Sequence, residues 1–303
     1  MSEHVIESEV TPSRILSVEQ SEALFQDVLS AIEIEPWRDA ANANRPAVEE
    51  LIRNAIDLIN RFEQATYQKH PDVHTDTDVI YIDSGPGPYS YKMLEPGKTD
   101  LDDVNYHKWA WSRKMDRARI RAAYTLAGMI TAKRIEAKTG TKKDTKDLTT
   151  DDFRQYGPYL MYASVSWQQD HIDHVHKLAK EAGIFKIPDD KLVTYREFTN
   201  RNGEQKPIVN TEDQMEGLRF PLIDGKSPGR IVMVSHPAHF LRMMHILGKY
   251  PDSIPDSSIL QLFPIPTPID AVEEYAKAEI MGTMAAIFRK ERASLTPYTN
   301  YVV

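Results

Sequence analysis

The stretch RIVMVSHPAHFLRMMHIL, residues 230–247, decides the fold class of this 303-residue chain. Four consecutive apolar residues, 231–234, predict a strand that is buried on both faces, as in a parallel sheet covered by helices. Pro237 suits the first turn of a helix, and the apolar residues after it recur at helical spacing. We therefore predict that a buried strand passes directly into a helix here.

The alternation of strand and helix continues on both sides of this stretch. Short apolar runs predict further strands, and longer periodic segments predict helices. The strands are expected at 79–82, 158–167, 191–198 and 258–266, and the main helices at 113–137, 168–182 and 269–292. This order predicts an α/β fold with a mostly parallel sheet of about five strands flanked by helices.

The N-terminal part of the chain has a different pattern. Ser17 and Gln20 form a capping box, Pro46 suits the start of a second helix, and no strand is expected before residue 78. We predict three segments: a flexible tail over 1–16, an N-terminal helical cap over 17–77, and one α/β domain over 78–303.

The composition excludes several classes of protein. The chain has 37 Lys and Arg against 45 Asp and Glu, a net charge of −8, which argues against a general nucleic-acid binder. It has no cysteine, which excludes thiol nucleophiles, disulfides and Cys-ligated zinc. No segment has the apolar length of a signal peptide core or of a membrane helix. We therefore expect a cytoplasmic protein without a membrane span.

The end of the strand at 231–234 is a candidate binding site. Ligands of parallel sheets bind beyond the carboxyl ends of the strands, where Ser235 lies, and the first turn of the following helix favours anions. His239 and Arg242 are three residues apart and share a helix face. Arg242 can hold a phosphate or carboxylate, and His239 can act as a general acid or base.

A purely structural interpretation of the same residues stays open. Ser235 could cap the helix, His239 could be a packing histidine, and Arg242 could pair with a surface acid. The position after a strand favours the functional interpretation.

The segment VSHPAHFLRMMHIL resembles a strand–helix signature of the YdcF/SanA/ElyC-like family, roughly Val-Thr-Ser-x-x-His-x-x-Arg-Ala. Ser235 stands at the family's Thr, and His239 and Arg242 stand at its His and Arg. His236 departs from the pattern, since the family has a small residue there.

Four further segments resemble the family in the same order along the chain. IVNTEDQMEGL resembles an Asn-Thr-x-Glu-Asn segment, with Asn210 and Thr211 matched and Gln214 at the second Asn. RIRAAYTL resembles an Arg-Leu-x-x-Ala helix, with Arg119 on the Arg. DVIYIDSGPGPY resembles the family's first strand with its Gly-rich turn. The segment 159–184 resembles the second strand with its helix. The family's Ser-Gly-Gly after the second strand is Ser-Trp-Gln here, which is a further departure.

The resemblance covers roughly residues 78–290 and implies a Rossmann-like domain with extra helices. One branch of the family is associated with binding of S-adenosylmethionine, and the SanA- and ElyC-like members are membrane-anchored and linked to the bacterial envelope. Because this chain lacks the anchor, it looks nearer to the soluble branch, in a bacterial or phage-like setting. The resemblance implies a ligand site that includes Arg119, Asn210, Thr211, Ser235 and Arg242.

The turn after the first predicted strand, SGPGPY, is a further ligand-site candidate. Ser84, Gly85 and Gly87 follow the strand directly, where a ligand would lie. Pro86 and Pro88 lack amide hydrogens, so the turn is not a dinucleotide fingerprint. A rigid turn that only ends the strand is the alternative.

Three weaker patterns have both a functional and a structural interpretation. The Asn210 amide could bind a ligand, but the adjacent Thr211 and Gln214 match a capping box, which is a structural role. Asn202-Gly203, earlier in the chain, predicts a hairpin turn. HIDHVH, residues 171–176, suggests metal binding, but no single helix face holds all three histidines, so a polar helix surface is favoured and no metal is predicted. The aromatic residues of 89–114 could stack on a ring or only cover the sheet.

These observations lead to three functional hypotheses. The first is binding of a small, nucleotide-like anionic ligand such as S-adenosylmethionine, with His239 as a candidate acid or base. The second is a hydrolase or transferase acting on a phosphorylated or sugar-linked substrate; the chain has neither a Gly-x-Ser-x-Gly elbow nor a P-loop. The third is a catalytically silent protein that binds another protein through its N-terminal helices.

Overall fold

The computed structural model describes residues 15–66, 74–83, 110–163, 173, 176–177, 179–183, 185–268, 271–289 and 292–303. The strands are β1 Thr77–Asp83, β2 Tyr159–Ala163, β3 Leu192–Tyr195, β4 Glu197–Thr199, β5 Gln205–Pro207, β6 Arg230–Ser235 and β7 Ile259–Pro264. The α-helices are α1 Val18–Ile32, α2 Arg38–Ala43, α3 Arg45–Thr66, α4 Ala110–Thr139, α5 Thr150–Tyr156, α6 Thr211–Glu216, α7 Pro237–Lys249 and α8 Val272–Phe288.

Five strands form one parallel sheet in the order β3-β2-β1-β6-β7. The chain builds the sheet outward from β1 in one direction, then returns to the other side of β1 with β6. The strand order therefore reverses between β1 and β6, which is the topological switch point where ligands of such sheets bind. The predicted Rossmann-like α/β fold is confirmed.

Helices cover both faces of the sheet. On one face the side chains of Tyr81 and Met233 pack with α1, α3, α7 and α8 in one hydrophobic core. On the other face Ile82 and Val234 pack with α4 and α5 in a second core. The central strands β1 and β6 are buried on both sides, as their unbroken apolar sequences predicted. We call the two sides the α7/α8 face and the α4 face.

The N-terminal helices belong to the core of the α7/α8 face. Ser17 caps α1, with its hydroxyl accepting from the Gln20 amide and the Gln20 side chain accepting from the Ser17 amide, so the predicted capping box is confirmed. Helix α1 packs on α8, and α3 packs on α7, α8 and β7. These helices thus help to hold α7 and α8 against the sheet.

The predicted strand over 191–198 is wrong in its extent. Strand β3 ends at Tyr195, the chain bends at Arg196, and β4 pairs antiparallel with β5 in a separate hairpin. The hairpin turn predicted at Asn202-Gly203 is confirmed, with Gly203 at a φ of +81°, a conformation that favours glycine. Within the described residues, no helix is both long enough and apolar enough to cross a membrane.

Candidate functional site

The carboxyl ends of β1 and β6 lie side by side at the switch point. Ile82 pairs with Val234 in the parallel register, so the last residues of the two strands, Asp83 and Ser235, are neighbours. Both are fully buried. The α7 helix begins two residues later at Pro237, as the sequence predicted.

Ser235 does not cap α7. The cap position belongs to His236, which makes no side-chain capping bond, and Ser235 is the last residue of β6. Its hydroxyl is buried and has no hydrogen-bond partner within the described part of the chain. The structural interpretation of Ser235 as a helix cap is therefore wrong.

His239 lies between two buried carboxylates. Its Nδ1 is 2.9 Å from Oε1 of Glu279 on α8, and its Nε2 contacts Oδ2 of Asp83 at the end of β1. Burial alone lowers the pKa of His239, but the charges of Glu279 and Asp83 outweigh it and raise that pKa above the usual value. The imidazole is therefore held in place from both sides and favours its protonated form.

Arg242 is the second partner of Glu279. Its Nε is 3.1 Å from Oε2 of Glu279, and its Nη2 is 3.2 Å from Nδ1 of His239. Burial raises the pKa of Glu279, but Arg242 and His239 outweigh it and lower that pKa. His239 and Arg242 share one face of α7, as their spacing predicted, and that face points to a buried acid of α8 and not to a surface acid.

Arg119 connects α4 to the same site. Its guanidinium is fully buried; Nη1 donates to the main-chain oxygen of Asp83 at 3.2 Å, and Nη2 donates to the Tyr275 hydroxyl at 3.0 Å. Arg119 thereby ties the end of β1 to α8. Arg119 and Arg242, the two arginines predicted to bind the ligand, thus both lie close to the ends of β1 and β6.

His236, next to these charged residues, is neutral. Its Nδ1 donates to the main-chain oxygen of Ile265 at 3.2 Å. Burial, reinforced by the charge of Arg119, lowers the pKa of His236 well below the usual value. The two histidines at the start of α7 therefore have opposite protonation preferences.

The switch-point cluster comprises Asp83, Arg119, His239, Arg242 and Glu279. All five are at most 2% exposed except Arg242, whose side chain is 21% exposed. With His239 protonated, the cluster has three positive and two negative groups, a net charge of +1. Excess positive charge in a nearly dry site favours binding of an anion.

The remaining predicted ligand residues do not all reach this cluster. Asn210 caps α6 by accepting from the Asp213 amide at 3.1 Å, so the predicted cap at Thr211 is wrong by one residue. The Asn210 side-chain oxygen is thus occupied by its own helix. Gln214 of the same helix instead donates from Nε2 to the main-chain oxygen of Ala163, at the carboxyl end of β2.

The turn residues Ser84, Gly85 and Gly87 lie outside the described residues, as do His171 and His174 of the predicted metal motif. His176 is described and is buried on the α4 face. Its ring stacks on Phe185 with 4.8 Å between the ring centroids. Within the described residues no group of three His, Asp or Glu side chains could hold a metal ion.

Two central members of the cluster, Asp83 and Glu279, were missed in the sequence. Glu279 is the one acid on a buried helix face that also carries Tyr275, Ala276 and Ile280. A carboxylate on such a face needs a buried partner, which is a signal the sequence contains. Asp83 had a comparable signal, because it directly follows four consecutive apolar or aromatic residues, 79–82, at the end of β1.

Comparisons with protein-family models, with curated proteins and with solved structures found no match to this chain.

Proposed function

We propose that this chain binds a small, nucleotide-like ligand through an anionic group at the carboxyl ends of β1 and β6, with the carboxylate of S-adenosylmethionine or the phosphate of a nucleotide as the candidates. The observation that carries the proposal is the position of the switch-point cluster: buried charged groups from β1, α4, α7 and α8 converge where sheets of this order bind ligands. Membership of the YdcF/SanA/ElyC-like family, and the cytoplasmic bacterial setting that it implies, belong to the same proposal.

The charges of the cluster support an anionic ligand. Burying ionised groups is costly unless charges balance, and here one positive charge exceeds the two carboxylates when His239 is protonated. The ligand anion supplies the missing negative charge. The free Ser235 hydroxyl supplies a hydrogen bond beside it.

A second candidate function is hydrolysis or group transfer on a phosphorylated or sugar-linked substrate. The observation that favours it is the arrangement of His239 between Glu279 and Asp83. A carboxylate on Nδ1 fixes the orientation and tautomer of a catalytic imidazole, which would act as a general acid once a substrate takes the place of Asp83 at Nε2. Arg242 would stabilise charge on a transferring group.

Ligand binding is tested by thermal shift and calorimetry with S-adenosylmethionine, S-adenosylhomocysteine, nucleotides and sugar nucleotides. A ligand at about 100 times its dissociation constant adds about 2.7 kcal/mol to the free energy of unfolding. Removing Arg242 would leave Glu279 buried without its guanidinium, so Ser235→Ala is the better test variant. We expect this variant to fold normally and to bind the ligand about three- to tenfold more weakly, because it loses one hydrogen bond.

The matched control is Ser30→Ala on α1, where the serine is exposed and its hydroxyl donates to the main-chain oxygen of Gln26. It should bind as the wild type does. Equal affinity in wild type and Ser235→Ala would remove Ser235 from the site, and no shift with any ligand would reject the binding function. Hydrolysis of p-nitrophenyl phosphate that is lost in His239→Asn would establish the second candidate in its place.

A further inference from the structure

The carboxyl ends of the strands form a continuous row on the α7/α8 face. In the parallel register Asp83 pairs with Ala163, and Ala163 pairs with Tyr195. Ser235 lies on the other side of Asp83, next to it in β6. The side chains at these positions belong to the same side of the sheet as Tyr81, because residues two apart on a strand share a face. We call Tyr195, Ala163, Asp83 and Ser235 the strand-end row.

Two hydroxyls of this row are buried without a partner. The Tyr195 and Ser235 hydroxyls have negligible exposure and no hydrogen-bond partner among the described residues, and the Asp83 carboxylate between them contacts His239 and Tyr81. Buried polar groups in folded proteins are nearly always hydrogen-bonded. Two such hydroxyls in one row, on either side of a buried carboxylate, therefore favour a bound partner at this position.

Asp83 lies inside the row, between Ala163 and Ser235. Tyr195 and Asp83 end β3 and β1 on either side of Ala163, and burial, followed by the Asp83 carboxylate, raises the pKa of Tyr195. The Tyr81 phenol lies beside the same carboxylate, which also raises its pKa after burial. Ala163, between Tyr195 and Asp83, has a small side chain, and Gln214 donates to its main-chain oxygen.

The donors and acceptors of the row define the chemistry of its partner. An ionised carboxylate only accepts hydrogen bonds, whereas the hydroxyls of tyrosine and serine both donate and accept. An anionic group in direct contact with the Asp83 carboxylate, away from Arg242, would be repelled, and an apolar group would leave the hydroxyls unsatisfied. Adjacent hydroxyl groups satisfy all of these atoms, since each of them can donate to the carboxylate and accept from a phenol.

On this geometry we infer that the strand-end row binds the vicinal diol of a sugar, either the ribosyl group of a nucleotide or a hexosyl group. The inference rests on the proposed function and deepens it, because it places the sugar at Asp83 and Tyr195 and the anionic end toward Ser235, His239 and Arg242. Neighbouring strands lie about 4.8 Å apart, so the row from β3 to β6 spans about 14 Å. This length accommodates a sugar together with a charged substituent.

The test compares a ligand that has the diol with one that lacks it. Adenosine 5′-monophosphate and 2′-deoxyadenosine 5′-monophosphate differ in one hydroxyl, and glucose 6-phosphate supplies a hexosyl diol. We measure the affinity of each by calorimetry for the wild type and for Tyr195→Phe. One of the two diol ligands should bind about three- to tenfold more tightly to the wild type than to Tyr195→Phe, because the variant lacks one hydrogen bond.

If the diol source is ribosyl, the deoxynucleotide should bind more weakly than the ribonucleotide to the wild type and change little in Tyr195→Phe. If it is hexosyl, glucose 6-phosphate should show the loss in Tyr195→Phe and neither nucleotide should. The matched control is Tyr124→Phe, which removes another buried hydroxyl without a partner among the described residues, but on the α4 face. It should bind every probe as the wild type does.

The outcomes separate the inference from the proposed function. Binding of a probe with equal affinity in the wild type and in Tyr195→Phe would overturn the diol site and leave the anion site standing. A lower melting temperature of ligand-free Tyr195→Phe, with no such change in Tyr124→Phe, would also overturn it, since the hydroxyl would then have a partner in the free protein. No binding of any anionic probe to the wild type would reject the proposed function itself.

Discussion

Two buried histidines on opposite faces of the sheet, His239 and His176, have opposite electrostatic surroundings. On the α7/α8 face His239 lies between Asp83 and Glu279, and its pKa is raised. On the α4 face His176 packs against the rings of Phe185 and Tyr124, and burial lowers its pKa to about 4. Burial by itself thus makes a histidine neutral, and only the carboxylates of the switch point reverse this effect.

The two faces of the sheet also differ in the kind of groups that they bury. The α4 face is packed by apolar and aromatic groups, which stabilise the fold through burial. The α7/α8 face has an apolar core of its own, but at the strand ends it also buries charged groups that hydrophobic residues of similar size could replace without loss of stability. Retaining such groups is expected where a ligand or a reaction uses them.

The largest expected effect concerns the acid that His239 and Arg242 share. Glu279→Ala should lower the free energy of unfolding by about 3–5 kcal/mol, because it leaves two buried cationic groups without their carboxylate. Urea denaturation at neutral pH measures it. Glu274→Ala on the exposed side of the same helix is the control and should change the free energy by less than about 0.5 kcal/mol. A loss of similar size in both variants would show that the Glu279 pair adds nothing beyond helix stability.

The next effect is the pH dependence of the free energy of unfolding. The contributions of His176 and His239 to it should have opposite signs. The pKa of His176 is about 4 in the folded protein and about 6.5 in the unfolded chain, so only the unfolded chain takes up the proton between these values. The contribution of neutral His176 is therefore fully present above pH 6.5 and lost as the pH falls toward 4. As the pH falls through this range, the free energy of unfolding of His176→Phe should rise by about 3 kcal/mol relative to that of the wild type.

The raised pKa of His239 gives the reverse dependence. Its contribution is fully present below the unfolded value of about 6.5 and lost as the pH rises through the higher folded value. The wild type should thus exceed His239→Gln in unfolding free energy by more at pH 6 than at pH 9. Urea denaturation of both variants and the wild type across pH 4–9 measures both slopes. Slopes of the same sign for the two positions would contradict the contrast between the faces.

The smallest expected effect compares two tyrosine hydroxyls. Tyr275→Phe removes the acceptor of the Arg119 Nη2 hydrogen bond and should lower the free energy of unfolding by roughly 1–3 kcal/mol, since the buried donor loses that acceptor. Tyr124→Phe on the α4 face removes a hydroxyl that has no partner among the described residues, so the change should stay within about 0.5 kcal/mol. Equal thermal unfolding curves for the two variants would contradict a structural role of the Arg119–Tyr275 bond.

The sequence allowed part of the site to be predicted because that part is local. Ser235, His239 and Arg242 lie in one strand–helix unit, so helical spacing places the last two on one face. Asn210, and not Thr211, caps α6 through its side-chain oxygen, and its ligand role stays a prediction. Glu279 could have been found from its position on an apolar helix face, but its partner could not.

By itself, the sequence determined the alternation of strands and helices, the Ser17 cap, the hairpin at Gly203 and the burial of β1 and β6. These features depend on side-chain periodicity and on contacts over a few residues. Only the tertiary structure decided that Asp83, Arg119, His239, Arg242 and Glu279 form one cluster. Their meeting depends on which strands become neighbours, and that choice is made by the packing of distant segments, which no local pattern encodes.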